Sequence, residues 1–83
     1  MKSYVFPAVL IEDKAGIGVV FPDLPGCVSQ DDDYERAFKG AREALSLHLS
    51  GMIEDGETIP KPSSLRTISL NAGEALALID TQL

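Results

Sequence analysis

The chain is predicted to be α+β, a small antiparallel sheet with one main helix packed on it, and three observations carry that prediction. Two strand-like apolar runs, residues 2–12 and 17–21, are joined by a short polar link. A corner, Phe21-Pro22-Asp23-Leu24-Pro25-Gly26-Cys27, then stops the second run: its prolines fix φ and remove backbone donors, and its glycine is free to turn at positive φ. Beyond an acidic stretch comes a single long segment whose apolar residues recur every three or four positions.

Residues 2–12 are rich in β-branched and aromatic side chains, with Val5, Pro7, Val9 and Ile11 on one face and Tyr4, Phe6, Ala8 and Leu10 on the other. Both faces are apolar, which suits a strand covered on both sides. Pro7 has no ladder donor, so it belongs at a bulge or where its nitrogen side is unpaired. Asp13-Lys14-Ala15-Gly16 has the length of a hairpin link, and after the corner Val28-Ser29-Gln30 supplies a short third strand.

The helix starts near Tyr34, capped either by Asp32, which has Glu35 three residues on, or by Asp33. Ala37, Phe38, Ala41, Ala44, Leu45, His48, Leu49, Met52 and Ile53 form its apolar face, with small residues where a helix can approach a sheet closely. Gly40 inside it costs about 1 kcal/mol against alanine unless the missing side chain permits close packing. Gly56 is placed to be the C′ residue that ends the helix. Ile59-Pro60-Lys61-Pro62 is then extended, and Ser63 or Ser64 starts one short turn through Leu65 and Arg66. Local pattern leaves Glu74-Ala75-Leu76-Ala77-Leu78-Ile79-Asp80 open: its composition favours helix, while Gly73 and its brevity permit a buried strand.

Eighty-three residues make one domain, spanning 1–83, and domains of this size bury only about 60% of the unfolded chain's surface, so oligomerisation is an expected supplement. No stretch approaches the roughly 18 to 20 apolar residues of a membrane span. Cys27 is the single cysteine, which excludes an intramolecular disulfide and a multi-cysteine zinc site; with no secretory start at the N-terminus, the cytoplasm is the expected compartment. Seven basic against thirteen acidic side chains give a net charge of −6, which opposes approach to phosphates. A basic protein partner is expected instead, and no direct DNA binding.

Nothing assembles a nucleophilic triad, a metal site or a cofactor motif. His48 stands on the helix without a second ligand at metal spacing and reads as a half-buried structural residue, and Cys27 as a packing residue with no flanking base to lower its pKa. The candidate partner-binding residues are Asp23, Asp31, Asp32 and Glu35. The Asp31-Asp32-Asp33 run suits a helix start, where the macrodipole favours anions, and one aspartate can cap while its neighbours face outward.

Four separated pieces together resemble the HicB-type antitoxins of toxin–antitoxin pairs: Tyr4-Val5-Phe6-Pro7-Ala8-Val9, the proline corner, the Ala37…Ala41-Arg42-Glu43-Ala44-Leu45…His48-Leu49 face, and Gly56…Ile59-Pro60-Lys61-Pro62-Ser63. The resemblance covers nearly the whole chain. It implies a βββα(α)β, partial ribonuclease-H-like fold in which residues 74–80 are a last strand beside the first. It also implies a partner, a small HicA-type toxin that cleaves messenger RNA and whose catalytic histidine is occluded, and a homodimer or higher oligomer formed through a sheet or helix edge. Relatives continue into a DNA-binding domain, which is absent from these 83 residues. Members of the family commonly carry glycine at the position of Asp31, threonine at Asp33, glutamate at Arg36 and asparagine at Gly40, so this copy is more acidic before its helix. Nuclease activity would need an aspartate inside the first strand to anchor metal, and residues 2–11 contain none; Glu43 and Asp80 are the nearest candidates for a residual pair. The readings in competition with the antitoxin are an orphan acidic binding domain without a toxin and a minimal ribonuclease.

Overall fold

The computed structural model describes all residues, Met1–Leu83, as a two-layer sandwich. Its elements are β1 (Ser3–Asp13), β2 (Gly16–Val20), β3 (Val28–Asp31), α1 (Tyr34–Glu54), a 3₁₀ turn (Leu65–Thr67) and β4 (Glu74–Gln82). The sheet order is β3-β2-β1-β4, antiparallel throughout, so the final segment is a strand and lies beside the first.

The hydrogen bonds between Lys2 and Leu83 run both ways, at 3.0 and 2.9 Å. Antiparallel ladders alternate bonded and non-bonded pairs, so the even residues of β1 bond towards β4 and the odd ones towards β2. Pro7 is an odd residue, and the β1–β2 ladder begins only at Val9↔Val20. Its missing N–H therefore faces a place where β2 has already ended at the proline corner, and the proline costs the sheet no bond.

The core lies between the sheet and α1. Phe6, Ala8 and Leu10 of β1, Ile17 and Val19 of β2, Ile79 of β4, and Phe21, Leu24 and Cys27 of the corner meet Ala37, Ala41, Leu45 and Leu49. The buried helical residues recur strictly every fourth position. Phe38 and Ile53, expected on the same face, fall off that ridge and are exposed; Ala44, His48 and Met52 flank it, half-buried. On the opposite face of β1, Pro7 and Val9 are buried but Val5 is exposed, so the strand is covered on both sides only at its middle.

Gly40 is where the helix meets β3. A Cβ there would lie 2.5 Å from Asp31 Oδ2 and 3.0 Å from Ser29 Oγ, so the absent side chain leaves room for these two side chains of β3 against the helix. Ala41 is fully buried. Ala41→Leu should cost about 1 to 3 kcal/mol by overpacking, read as a lowered urea midpoint with an unchanged slope.

Asp33 is the N-cap, its carboxylate accepting the Arg36 N–H at 2.8 Å. The helix ends in a Schellman arrangement: Gly56, at φ +75°, donates to the Ile53 carbonyl and Glu57 to that of Met52. Because β4 runs antiparallel to β1, it begins at the end of the sheet where α1 begins, not where α1 stops. The chain therefore needs a return path the length of the molecule, and residues 57–73 supply it, extended at Pro60 and Pro62 and turned once after Ser64.

Candidate partner-binding surface

Antiparallel pairing decides which carboxylates become neighbours. Asp13↔Gly16 closes the first hairpin, and Ile17↔Asp31 brings the end of β3 to the same end of the sheet, where α1 starts two residues on. Glu12, Asp13, Asp31, Asp32, Asp33 and Glu35 therefore ring one end of the molecule, with Glu74 at its margin opposite Ile11.

Several of these acids also hold the local fold. Asp13 accepts the Ala15 N–H at 2.8 Å and sets the hairpin turn. The Tyr34 hydroxyl donates to Glu12, pinning the helix start to the end of β1. That hydrogen bond, helped by burial and by the carboxylate's charge, raises the Tyr34 phenol above its ordinary value. Asp31 is half-buried over Gly40. Asp32 and Glu35 are exposed. Arg36 lies 3.9 Å from both Asp32 and Asp33, but all three side chains are mostly in water, where such pairs contribute little. The rim keeps its negative field.

Of the four candidate residues, the fold brings Asp31, Asp32 and Glu35 together and sets Asp23 apart. Asp23 sits past the other end of β2, half-buried, accepting both the backbone N–H of Ser63, at 2.8 Å, and the Ser63 hydroxyl. It thus ties the proline corner to the Pro60–Pro62 exit. Glu12 and Asp13 belong to the rim although they stand some twenty residues from the aspartate run; the signal for them was the hairpin link, which has to lie at the helix-start end of a β1-β2-β3 meander. The far end carries Glu54, Asp55 and Glu57 at the helix exit beside Lys2 and Lys61. A groove of about 480 Å³ opens there between the start of β1 and the helix exit, lined by Tyr4, Phe6, Ile53 and Ile59 and by Lys2 and Lys61.

Cys27 is buried in the core, its thiol 3.7 Å from the Ala44 carbonyl, and burial pushes the thiol above its ordinary value. At neutral pH a thiol reagent should modify it only as fast as the protein opens, and at once in denaturant; immediate reaction in the native state would show an exposed sulfur. Glu43 and Asp80 do not pair. Arg42 reaches Asp80 at 3.2 Å, while Glu43 opens beside Asp31 and Gly40. No group of three or more histidine, cysteine or carboxylate side chains converges as a metal site. No helix is long and apolar enough to cross a membrane.

Comparison with known proteins places this chain in a family. The profile of the HicB_like antitoxin of bacterial toxin–antitoxin systems matches residues 6–81. Antitoxin HicB 2 of Photorhabdus laumondii is 33% identical over 63 residues, which is 76% of this chain and 45% of that protein. The N-terminal domain of antitoxin HicB from Burkholderia pseudomallei superposes with a TM-score of 0.75 at 32% identity, over 96% of this chain and all of that one. A chain of the HicA3–HicB3 toxin–antitoxin complex shares the fold, with a TM-score of 0.79 at 20% identity over 96% of this chain and all of that one. The chain spans about half the length of the first curated relatives it matches. With the sheet order, the proline corner and the family profile in agreement over nearly the whole chain, it belongs to the HicB-like antitoxin family.

Proposed function

We propose that this chain is the toxin-neutralising part of a cytoplasmic toxin–antitoxin pair, which binds a basic, HicA-type messenger ribonuclease and covers its active site without chemistry of its own. The observation that carries the reading is the gathering of Asp31, Asp32 and Glu35 with Glu12 and Asp13 at one end of a family member's fold, a negative field suited to a surface built to hold RNA. Fixed backbone anchors every part of that rim: the capped hairpin, the end of β3 and the capped helix start. Little ordering should be needed on binding. Asp23 is assigned a second contact at most, since Ser63 already occupies its carboxylate. The similarity of the fold to a chain of a HicA3–HicB3 complex supports the choice of partner.

The test is an RNA-cleavage assay with the HicA-type toxin of the same operon. Cleavage should fall to the background at one equivalent of this chain, and the chain alone should leave RNA intact with magnesium or manganese. Undiminished cleavage at excess antitoxin would overturn the reading. Cleavage by the chain itself that vanished with Glu43→Gln or Asp80→Asn would replace it with the ribonuclease.

A further inference from the structure

β1 is paired on its two sides over different lengths. Towards β4 the ladder runs from Ser3↔Gln82 to Ile11↔Glu74; towards β2 it begins only at Val9↔Val20. The odd residues turn their backbone groups to that second side, so Ser3, Val5 and Pro7 have no strand opposite, and no turn or loop hydrogen bond reaches them. Pro7 has only a carbonyl to offer, while Ser3 and Val5 each have a donor and an acceptor.

The groove of about 480 Å³ lies along this open stretch. Its other wall is the extended exit through Pro60 and Pro62, which cannot close on β1 as a strand because its prolines lack the donors a ladder needs. The Asp23–Ser63 hydrogen bonds hold that wall in place. Tyr4 and Phe6, the even residues of β1, form an apolar floor with Ile53 and Ile59, and Ile53 is 52% exposed. From the open backbone row beside this floor we propose that the groove receives an extended acidic peptide of a partner protein, which adds antiparallel to residues 3–7 as a further strand on the side that β2 leaves free.

Pairing and charge together define the occupant. The peptide residue opposite Val5 exchanges both hydrogen bonds with it and points, like Val5, to the outer face of the sheet. Its two neighbours, opposite Phe6 and Tyr4, turn their side chains into the groove, so the peptide is apolar at those alternate positions. Lys2 and Lys61 line the groove and neither forms a salt bridge; Lys2 lies over the Tyr4 ring, 5.4 Å from its centroid. Glu57 is the one carboxylate of the lining. Cations outnumber acids there in a chain whose net charge is −6, and an antiparallel peptide brings its C-terminal end to Lys2, where an acidic residue is matched. A basic toxin has the wrong charge for this site, and its complement is the rim at the other end of the molecule. The groove therefore stands or falls independently of the toxin reading.

The ladder phase supplies a selective test. The probe is a fluorescein-labelled peptide, Thr-Val-Thr-Val-Thr-Glu, whose valines fall opposite Phe6 and Tyr4 and whose glutamate reaches Lys2. Fluorescence anisotropy should show saturable binding, about fivefold weaker for the same peptide ending in lysine. Methylating the backbone nitrogen of the third peptide residue, which faces Val5, should weaken binding about tenfold; methylating the second, whose N–H points away from β1, should change it within about twofold. On the protein, Val5→Pro removes an N–H on the open side only and leaves the ladder to β4 intact, so circular dichroism should be unchanged and binding about tenfold weaker. Lys2→Glu combined with Lys61→Glu should reverse the preference between the two peptide endings. Should Val5→Pro fail to fold, the methylated peptides and the charge reversal decide. No saturable binding up to about 1 mM probe, equal tolerance of the two methylations, or a preference of the unmodified chain for the lysine ending would overturn the proposal. Displacement of the probe by the HicA-type toxin would overturn it too, assigning the groove to the toxin.

Discussion

Gly16→Ala should destabilise this domain more than any other single methyl group added to it. Gly16 opens β2 at φ +128°, a conformation side chains rarely adopt, and a Cβ built there would lie 2.4 Å from the Asp31 carbonyl oxygen. That atom is backbone, at the end of β3, and cannot rotate out of the way. A residue forced into such a region costs about 1 to 3 kcal/mol by itself, and relieving the clash means displacing the end of β3 from β2. A total of about 2 to 4 kcal/mol is expected, against the few kcal/mol by which a chain this small is stable. For domains of this size that corresponds to a fall in Tm of very roughly 10 to 25 °C.

Two other glycines separate the contributions. At Gly18 an added Cβ meets only the Ile11 carbonyl, at 3.8 Å, and φ is ordinary, so Gly18→Ala should change the urea midpoint little. At Gly26, φ is +86° with nothing within 4 Å, so Gly26→Ala should show the backbone penalty alone, about 1 kcal/mol. Equal losses at Gly16 and Gly26 would mean that the contact with Asp31 is relieved cheaply and that β3 is not held where the register puts it.

Features with a local cause were legible in the sequence. The corner stops β2 because proline cannot continue a ladder, Gly56 ends the helix because C′ needs positive φ, and Pro7 sits where its nitrogen has no strand to face. Whether Asp32 or Asp33 capped the helix was not legible, since either side chain can reach a free N–H; the geometry chose Asp33. The last strand shows the limit most clearly. Helix formers dominate residues 74–80, yet β1 leaves its even-numbered backbone groups open on that side, and satisfying them outweighs intrinsic preference; the family resemblance, not the local pattern, anticipated it. The grouping of the acidic side chains was half legible for the same reason. Adjacency along the chain puts Asp31, Asp32 and Glu35 at one end of the fold, but only the strand register adds Glu12 and Asp13 and carries Asp23 to the other end.

That difference in placement sets the second large effect, on the rate at which the chain meets the proposed toxin. Removing charge without removing acceptors isolates the field: Glu12→Gln keeps a partner for the Tyr34 hydroxyl, Asp13→Asn one for the Ala15 N–H, and Asp31→Asn, Asp32→Asn and Glu35→Gln complete the set. Asp33 stays, because it caps the helix. Steering by a focused field raises association rates by 10- to 1,000-fold, so this combined variant should associate about 10- to 100-fold more slowly at low salt. The unmodified chain should slow steeply as salt shortens the screening length from about 30 Å near 0.01 M to about 8 Å near 0.15 M, and the variant should respond little. Dissociation should change less, because exposed charges act mainly on encounter. Asp23→Asn is the informative contrast: it weakens the hold on Ser63, so it should lower the unfolding midpoint while leaving the low-salt association rate within about twofold, as expected for a charge away from the steering rim. Stopped-flow mixing across a salt series reads all three proteins. If Asp23→Asn slowed association as much as the five-fold variant, the field would not be centred on the rim, and the toxin would have to approach from the proline corner.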